Sequence, residues 1–198
     1  NHEDLPSNRI LSGYTIPSYG TTNGAPVNSL AYHGTGCAGI IGAESDNEIG
    51  IAGINPYCKI LPVNIILDGF QSEGEMATAI KWAWENGADI LSNSWGNRNV
   101  NYYSHSIHQQ ITNARTLGRN GLGCLIVAAS GNEGTEGVCF PASIDEVIAV
   151  GAVDFNDNII DYSSRDGVNG SALDICAFSG TTGNTQSSIT TTDPMGSV

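Results

Sequence analysis

Three short stretches carry side chains suited to chemistry. In His33-Gly34-Thr35-Gly36-Cys37-Ala38-Gly39, a histidine precedes a run of small residues and Ile40-Ile41. That pattern suits a helix whose first turn offers an imidazole and whose body packs closely against its neighbours. Imidazole in general gains and loses its proton near neutral pH and therefore works in both directions. In the stretch Ile126 to Gly134, an apolar run ends in Ser130-Gly131-Asn132, which leaves the Asn132 amide free to project from a strand end. A neutral amide donates to a developing oxyanion as a preorganised dipole, with no charge to desolvate, an effect worth about 2.7 to 4 kcal/mol in acyl transfer. The third stretch, Glu44-Ser45-Asp46-Asn47-Glu48-Ile49-Gly50-Ile51, offers with Asp4 the hard oxygen donors that calcium prefers. Viewed singly, His33 reads equally as a structural histidine, Asn132 as an ordinary turn residue and the acidic stretch as a solvated turn.

The elements that must position these residues alternate along the chain. Apolar runs rich in β-branched residues at Ile60–Leu67, Ile90–Ser94, Leu125–Ala129 and Val147–Val153 read as buried strands. Ser72-Glu73-Gly74-Glu75 is a capping box, followed at helical spacing by Met76, Ala79, Ile80, Ala83 and Trp84, with Gly87 as the stop. A second helix is predicted from about Ser104 to Arg119, with Ile107, Ile111, Ala114 and Leu117 on one face. This order gives an α/β fold with a mostly parallel central sheet flanked by helices. Sites in such sheets form where loops leave the carboxyl ends of strands, here Ser94-Trp95-Gly96 and Ser130-Gly131-Asn132. Thr181 to Ser197 is polar and without clear periodicity, and reads as a long loop.

Composition narrows the function. With 198 residues and 40% apolar content, residues 1–198 are expected to form a single domain with a real core. A formal net charge of -13 repels polyphosphates and anionic lipid headgroups, so neither nucleic acid nor membrane is an expected partner. Residues Asn1 to Pro6 have neither the basic start nor the apolar stretch of a signal peptide. Cys37, Cys58, Cys124, Cys139 and Cys176 lack zinc spacing, and no pairing follows from their positions; Cys37, Cys124 and Cys176 sit in apolar runs suited to buried thiols. Gly50-Ile51-Ala52-Gly53 is not a dinucleotide fingerprint, and Asp46-Asn47-Glu48 before it would repel phosphate.

Taken in order, several segments resemble the subtilisin-like serine proteases, the subtilase (peptidase S8) family. His33 to Gly39 is similar to that family's catalytic histidine motif, Ile49 to Leu67 to its Gly-rich turn and following strand, and Asn93 to Gly96 to its substrate-binding strand. Ser130 to Gly134 is similar to its oxyanion segment. Phe140-Pro141-Ala142, Val147 to Asp154, Tyr162-Ser163-Ser164 and Asp174-Ile175-Cys176-Ala177 follow in the family's order.

The resemblance implies a three-layer subtilisin-like fold and a serine endopeptidase. His33 would be the general acid/base and Asn132 an oxyanion donor. Ser94, Trp95 and Gly96 would pair with an extended polypeptide substrate, and the pocket for the residue before the scissile bond would lie between them and Ala128, Ala129, Ser130 and Gly131. It also implies calcium held by Asp4, a side chain from Asp46 or Asn47, and the carbonyls of Ile49 and Ile51. An extracellular or periplasmic location, and a propeptide or protein inhibitor as a further partner, are implied too. In the family the catalytic aspartate precedes a segment like His2-Glu3-Asp4-Leu5, and the nucleophile lies in a Gly-Thr-Ser-x-Ala motif past the region of Ala177. Both are expected outside residues 1–198, Gly196-Ser197 being too small a match to assign Ser197. This stretch alone is therefore expected to be inactive. The alternative is a pseudoprotease or binding domain that keeps the fold without the chemistry.

Overall fold

The structure is a computed structural model that describes residues 2–20, 23–26, 32–65, 72–134, 137–165, 173–180 and 189–192. The chain divides into two compact units, residues 1–83 with 190–198, and residues 84–189. Residues 66–67 of the first expected strand lie outside the described residues, as do 181–188 and 193–197 of the expected loop.

The first unit holds β1 (Tyr14–Thr15) and β2 (Val63–Asn64), paired in parallel, with a further parallel bridge between Ile10 and Ile60. The strand expected over Ile60–Leu67 is thus shorter than its apolar run, because Pro62 has no N–H to give to a ladder. Helix α1 (His33–Gly42) packs as its small residues require. A Cβ on Gly39 would lie 2.3 Å from Thr192 Oγ1, and one on Gly53 only 2.4 Å from the Ala43 nitrogen. Helix α2 (Glu73–Glu85) begins at the expected cap: Ser72 Oγ accepts from the Glu75 N–H at 3.2 Å. The Glu75 side chain returns to the cap and also reaches a distant donor. The Glu75 carboxylate accepts from the Ser18 N–H at 3.1 Å and from the Ser72 hydroxyl at 3.2 Å. Those donors, the Ser18 N–H foremost, hold the Glu75 carboxyl below the usual range.

The second unit is built on a parallel sheet of β3 (Ile90–Asn93), β4 (Leu125–Ala129), β5 (Ile148–Val153) and β6 (Ile175–Phe178), in that order. Helix α3 (His105–Gly121) is capped by Ser104 and packs on β4. Its helical geometry breaks just before the expected end at Arg119: Gly118 has ψ of 158°, and Arg119 and Asn120 take positive φ. A Cβ on Gly118 would meet Cys124 Sγ at 2.3 Å, so the turn into β4 is packed too closely for any other residue. Ile107, Ile111 and Ala114 are buried with Leu91, Ile126, Ala128 and Ala149. On the opposite face Ile90 pairs with Leu125, while Ile175 pairs with Val150 farther along the sheet, and Ile90, Leu125 and Ile175 are 59%, 47% and 55% exposed. The runs expected to be buried at Ile90–Ser94 and Leu125–Ala129 therefore alternate between buried and more open positions. No disulfide joins the five cysteines, and Cys176 lies exposed rather than buried.

Helix α3 is also tied to the loop after Phe140. His108 Nε2 meets Glu146 Oε1 at 3.1 Å, Thr112 donates to the same oxygen at 3.3 Å, and Tyr103 shares a hydrogen bond with His108 Nδ1. The His108 hydrogen bond, ahead of the opposing effect of burial, holds the Glu146 carboxyl below the usual range. A lowered folded value means that this stabilisation is complete above the ordinary glutamate range and is lost as pH falls through the folded value. Glu146→Gln is expected to cost about 1 kcal/mol or less at neutral pH, the scale of a partly exposed pair. In urea unfolding, the gap between parent and variant should close between about pH 5 and pH 3. A gap that stays constant across that range would show that the carboxylate is not held in this way.

Candidate active site

The parallel register sets two strand ends side by side. Asn93 at the end of β3 is level with Ala128 in β4, so Ser94-Trp95-Gly96 and Ala129-Ser130-Gly131 leave the sheet as neighbours. Asn93 is buried and its amide nitrogen donates to the carbonyls of Leu91 and Val127, both at 3.1 Å. Its oxygen accepts from Trp95 Nε1 at 3.1 Å, which anchors the half-buried indole. Sequence reasoning treated Asn93 as one letter of a motif and missed this role. A polar residue closing an apolar strand, two positions before a tryptophan, was the available signal.

The segment after β4 is held on a closely packed base. The Ser130 N–H donates to the Val150 carbonyl at 2.9 Å, and the Ser130 carbonyl accepts from Cys139 at 2.8 Å. Ala128 and Ser130 are buried, whereas Ala129 and Asn132 are exposed. Gly131 has φ of 115°, and a Cβ there would lie 2.5 Å from Cys139 Sγ and 2.8 Å from Ser164 Oγ. On the neighbouring strand end, Ser94 and Gly96 are exposed, and Asn97 donates to the Phe140 carbonyl at 3.0 Å. The second unit thus brings together Ser94, Trp95, Gly96, Ala128, Ala129, Ser130, Gly131 and Asn132. It sets the Asn132 amide, after β4, next to the strand end that leaves β3.

His33 belongs to the first unit, where it is the exposed first residue of α1. The first turns of α1 are tied to the segment at 191–192: the Thr192 hydroxyl donates to the Thr35 carbonyl at 2.7 Å and the Thr191 hydroxyl to that of Gly36. Cys37 is half-buried one turn along the same helix.

In the same unit, Asp4 is wholly buried beneath the acidic loop. Its Oδ1 accepts from Asn47 Nδ2 and its Oδ2 from the Ile51 N–H, both at 2.9 Å, while its carbonyl accepts from Glu44 at 2.9 Å. Asn47 Oδ1 in turn accepts from the Ile49 N–H at 3.1 Å. Residues 44–52 curl around a hollow of about 280 Å³. Among the described residues, no three His, Cys, Asp or Glu side chains gather as a metal cluster. The Asp4 carboxylate faces N–H donors of Asn47 and Ile51, and only the residue types of the loop, a carboxylate, an amide and backbone carbonyls, are of the kind a hard cation takes. Asp46, at φ of 59°, is exposed.

Comparisons with known proteins agree on one family. The family model described as the subtilase family, peptidase S8, matches residues 1–198. The chain is 33% identical to thermitase of Thermoactinomyces vulgaris over 178 residues, 89% of this chain and 58% of that protein. It is 33% identical to a thermophilic serine proteinase of Bacillus sp. (strain AK1), over 82% of this chain and 38% of that protein. The crystal structure of Apa1, a psychrophilic subtilisin-like protease from Pseudoalteromonas sp. AS-11, superposes with a TM-score of 0.72 at 26% identity, over 90% of this chain and 38% of that one. The α/β fold is therefore of the three-layer subtilisin-like type, and the chain spans between about two fifths and three fifths of the length of these proteins.

The closeness of Gly131 to Cys139 and Ser164 yields a measurable contrast. Gly131→Ala combines backbone strain with a steric clash and is expected to cost about 2 to 4 kcal/mol in urea unfolding. Gly87 has φ of 90° but nothing within 4 Å of its Cβ position, so Gly87→Ala carries the strain alone. Its expected cost is about 1 to 2 kcal/mol. Equal costs at the two positions would show that the packing around Gly131 is looser than these distances.

Proposed function

The chain belongs to the subtilase family, and on that premise we propose that the protein is a serine endopeptidase acting through an acyl-enzyme. The observation that carries this reading is the exposed Asn132 amide at the carboxyl end of a parallel strand, beside the strand end Ser94-Trp95-Gly96. An extended polypeptide would add to that strand end by main-chain hydrogen bonds, with selection by the pocket next to Ala128, Ala129, Ser130 and Gly131. His33 accepts the proton of a nucleophilic serine and returns it to the leaving amine. The Asn132 amide, with a backbone N–H, holds the oxyanion. A propeptide or protein inhibitor would occupy the same strand-pairing surface. Export to an extracellular or periplasmic setting fits the family, and no helix among the described residues is long and apolar enough to cross a membrane.

Full-length protein should cleave unstructured polypeptide and be blocked by a serine-directed phosphonylating reagent. Asn132→Ala should lower kcat about 10²- to 10³-fold. His33→Ala should abolish turnover to near the level left by oxyanion binding alone, about 10³ to 10⁴ over water. No Gly-Thr-Ser-x-Ala motif occurs in residues 1–198, so this stretch by itself is proposed to be inactive. Full-length protein that neither cleaves nor reacts with the reagent would favour the pseudoprotease reading. Turnover by residues 1–198 alone, lost in Ser197→Ala, would place the nucleophile within them.

Calcium is proposed as a structural ion held by Asp4, the side chain of Asn47 or Asp46, and the carbonyls of Ile49 and Ile51. Support comes from the burial of the Asp4 carboxylate beneath the acidic loop, with Asn47 in contact with it. When bound, the ion supplies charge compensation for a carboxylate that is otherwise costly to bury. Millimolar calcium should raise the melting temperature and a chelator lower it, with Asp4→Asn removing the difference. A melting temperature indifferent to both would remove the ion from the account.

A further inference from the structure

Asn132 sits outside any strand or helix and is itself exposed, yet an oxyanion donor must be held to a fixed direction. The two peptide units flanking it are both held by one residue, Ser164. The Ser164 N–H donates to the Gly131 carbonyl at 3.0 Å, and the Ser164 hydroxyl oxygen accepts from the Glu133 N–H at 3.0 Å. The Gly131 carbonyl lies in the peptide plane before Asn132, and the Glu133 N–H in the plane after it. Peptide planes are rigid, and the only soft rotations between these two are φ and ψ of Asn132. Fixing both planes fixes both angles.

The hydroxyl itself has little freedom. Ser164 is 0% exposed, its Oγ lies 3.9 Å from Cys139 Sγ, and it fills the space where a Gly131 Cβ would stand. The arrangement continues one residue on, where Gly134 donates to the Tyr162 carbonyl and accepts from Arg165, at 3.0 and 3.1 Å. Residues 131–134 and 162–165 thus form a short hydrogen-bonded pair. Within it, the bond from Glu133 to Ser164 is the one made by a side chain.

We propose that Ser164 is a positioning residue that aims the Asn132 amide, an inference that rests on the reading of Asn132 as the oxyanion donor. Alanine at this position keeps the bond to Gly131 and leaves the Glu133 N–H without its acceptor, which frees the plane after Asn132. A misplacement of about 1 Å in a catalytic group costs on the order of 10²-fold in rate.

The test is a double-mutant cycle in the full-length protein, with amide exchange at Glu133 as an independent readout. Ser164→Ala should lower kcat about 10- to 100-fold with KM nearly unchanged, and make the Glu133 amide exchange at least about tenfold faster. In an Asn132→Ala background the same change should lower kcat less than about threefold, since no amide remains to aim. Ser164→Cys, close in size but a weaker acceptor, should give an intermediate loss and serves if the alanine variant does not fold. An equal loss in both backgrounds, or unchanged Glu133 exchange, overturns the positioning role while leaving Asn132 in the oxyanion site. An Asn132→Ala variant with full kcat overturns the oxyanion reading itself and this catalytic role with it, whatever the exchange data show.

Discussion

The site of the second unit depends on the hydrogen bonds of one buried amide. Asn93 spends both amide hydrogens on the carbonyls of Leu91 and Val127, so it bridges β3 to β4 at the point where their ladder ends. Its oxygen then takes the Trp95 indole N–H. A buried amide with every position filled is specific in a way that apolar contact is not, because any shift in register leaves donors and acceptors unpaired. The consequence is geometric: Ser94-Trp95-Gly96 and Ser130-Gly131-Asn132 emerge at the same level. The proposed substrate pairing and oxyanion donation need that proximity.

Close packing without side chains is the second theme. Gly39, Gly53, Gly118 and Gly131 each sit where a Cβ would fall within 2.5 Å of a neighbouring atom. Three of these contacts are with side chains, Thr192 Oγ1, Cys124 Sγ and Cys139 Sγ, and one is with backbone, at Ala43. Small residues therefore do two kinds of work. At α1 they let a helix lie against the segment at 191–192. At Gly131 the missing side chain makes room for the thiol of Cys139 and the hydroxyl of Ser164, and a positive φ turns the chain outward at Asn132.

The acidic loop follows a different logic. Asp4 is fully buried, and burying a carboxylate is costly unless donors or a cation compensate it. The Asn47 amide and the Ile51 N–H supply the donors, and the curl needed to bring them there puts Asp46, Glu48 and Gly50 at positive φ. Gly50 has a steric reason besides, since a Cβ there would lie 2.4 Å from Asp4 Oδ2.

What the sequence determined by itself was local and periodic. The β-branched run at Leu125–Ala129, the Ser72 cap, the Gly87 stop and the apolar face of Ile107, Ile111 and Ala114 are short-range patterns, and each element formed where its pattern lay. His33 and Asn132 were legible as motif residues because their neighbours in sequence carry the signal. The tertiary structure decided whatever depends on distant partners. Glu75 bonds Ser18 across 57 residues as well as its own cap, and the break in α3 at Gly118 packs against Cys124 too closely for a side chain. Ile90 and Leu125, apolar and in runs expected to be buried, face outward. Ser164 holds Gly131 and Glu133 from more than thirty positions away. A helix or strand preference is a sum over adjacent residues, whereas a hydrogen bond between distant segments exists only once the chain has folded to bring donor and acceptor together.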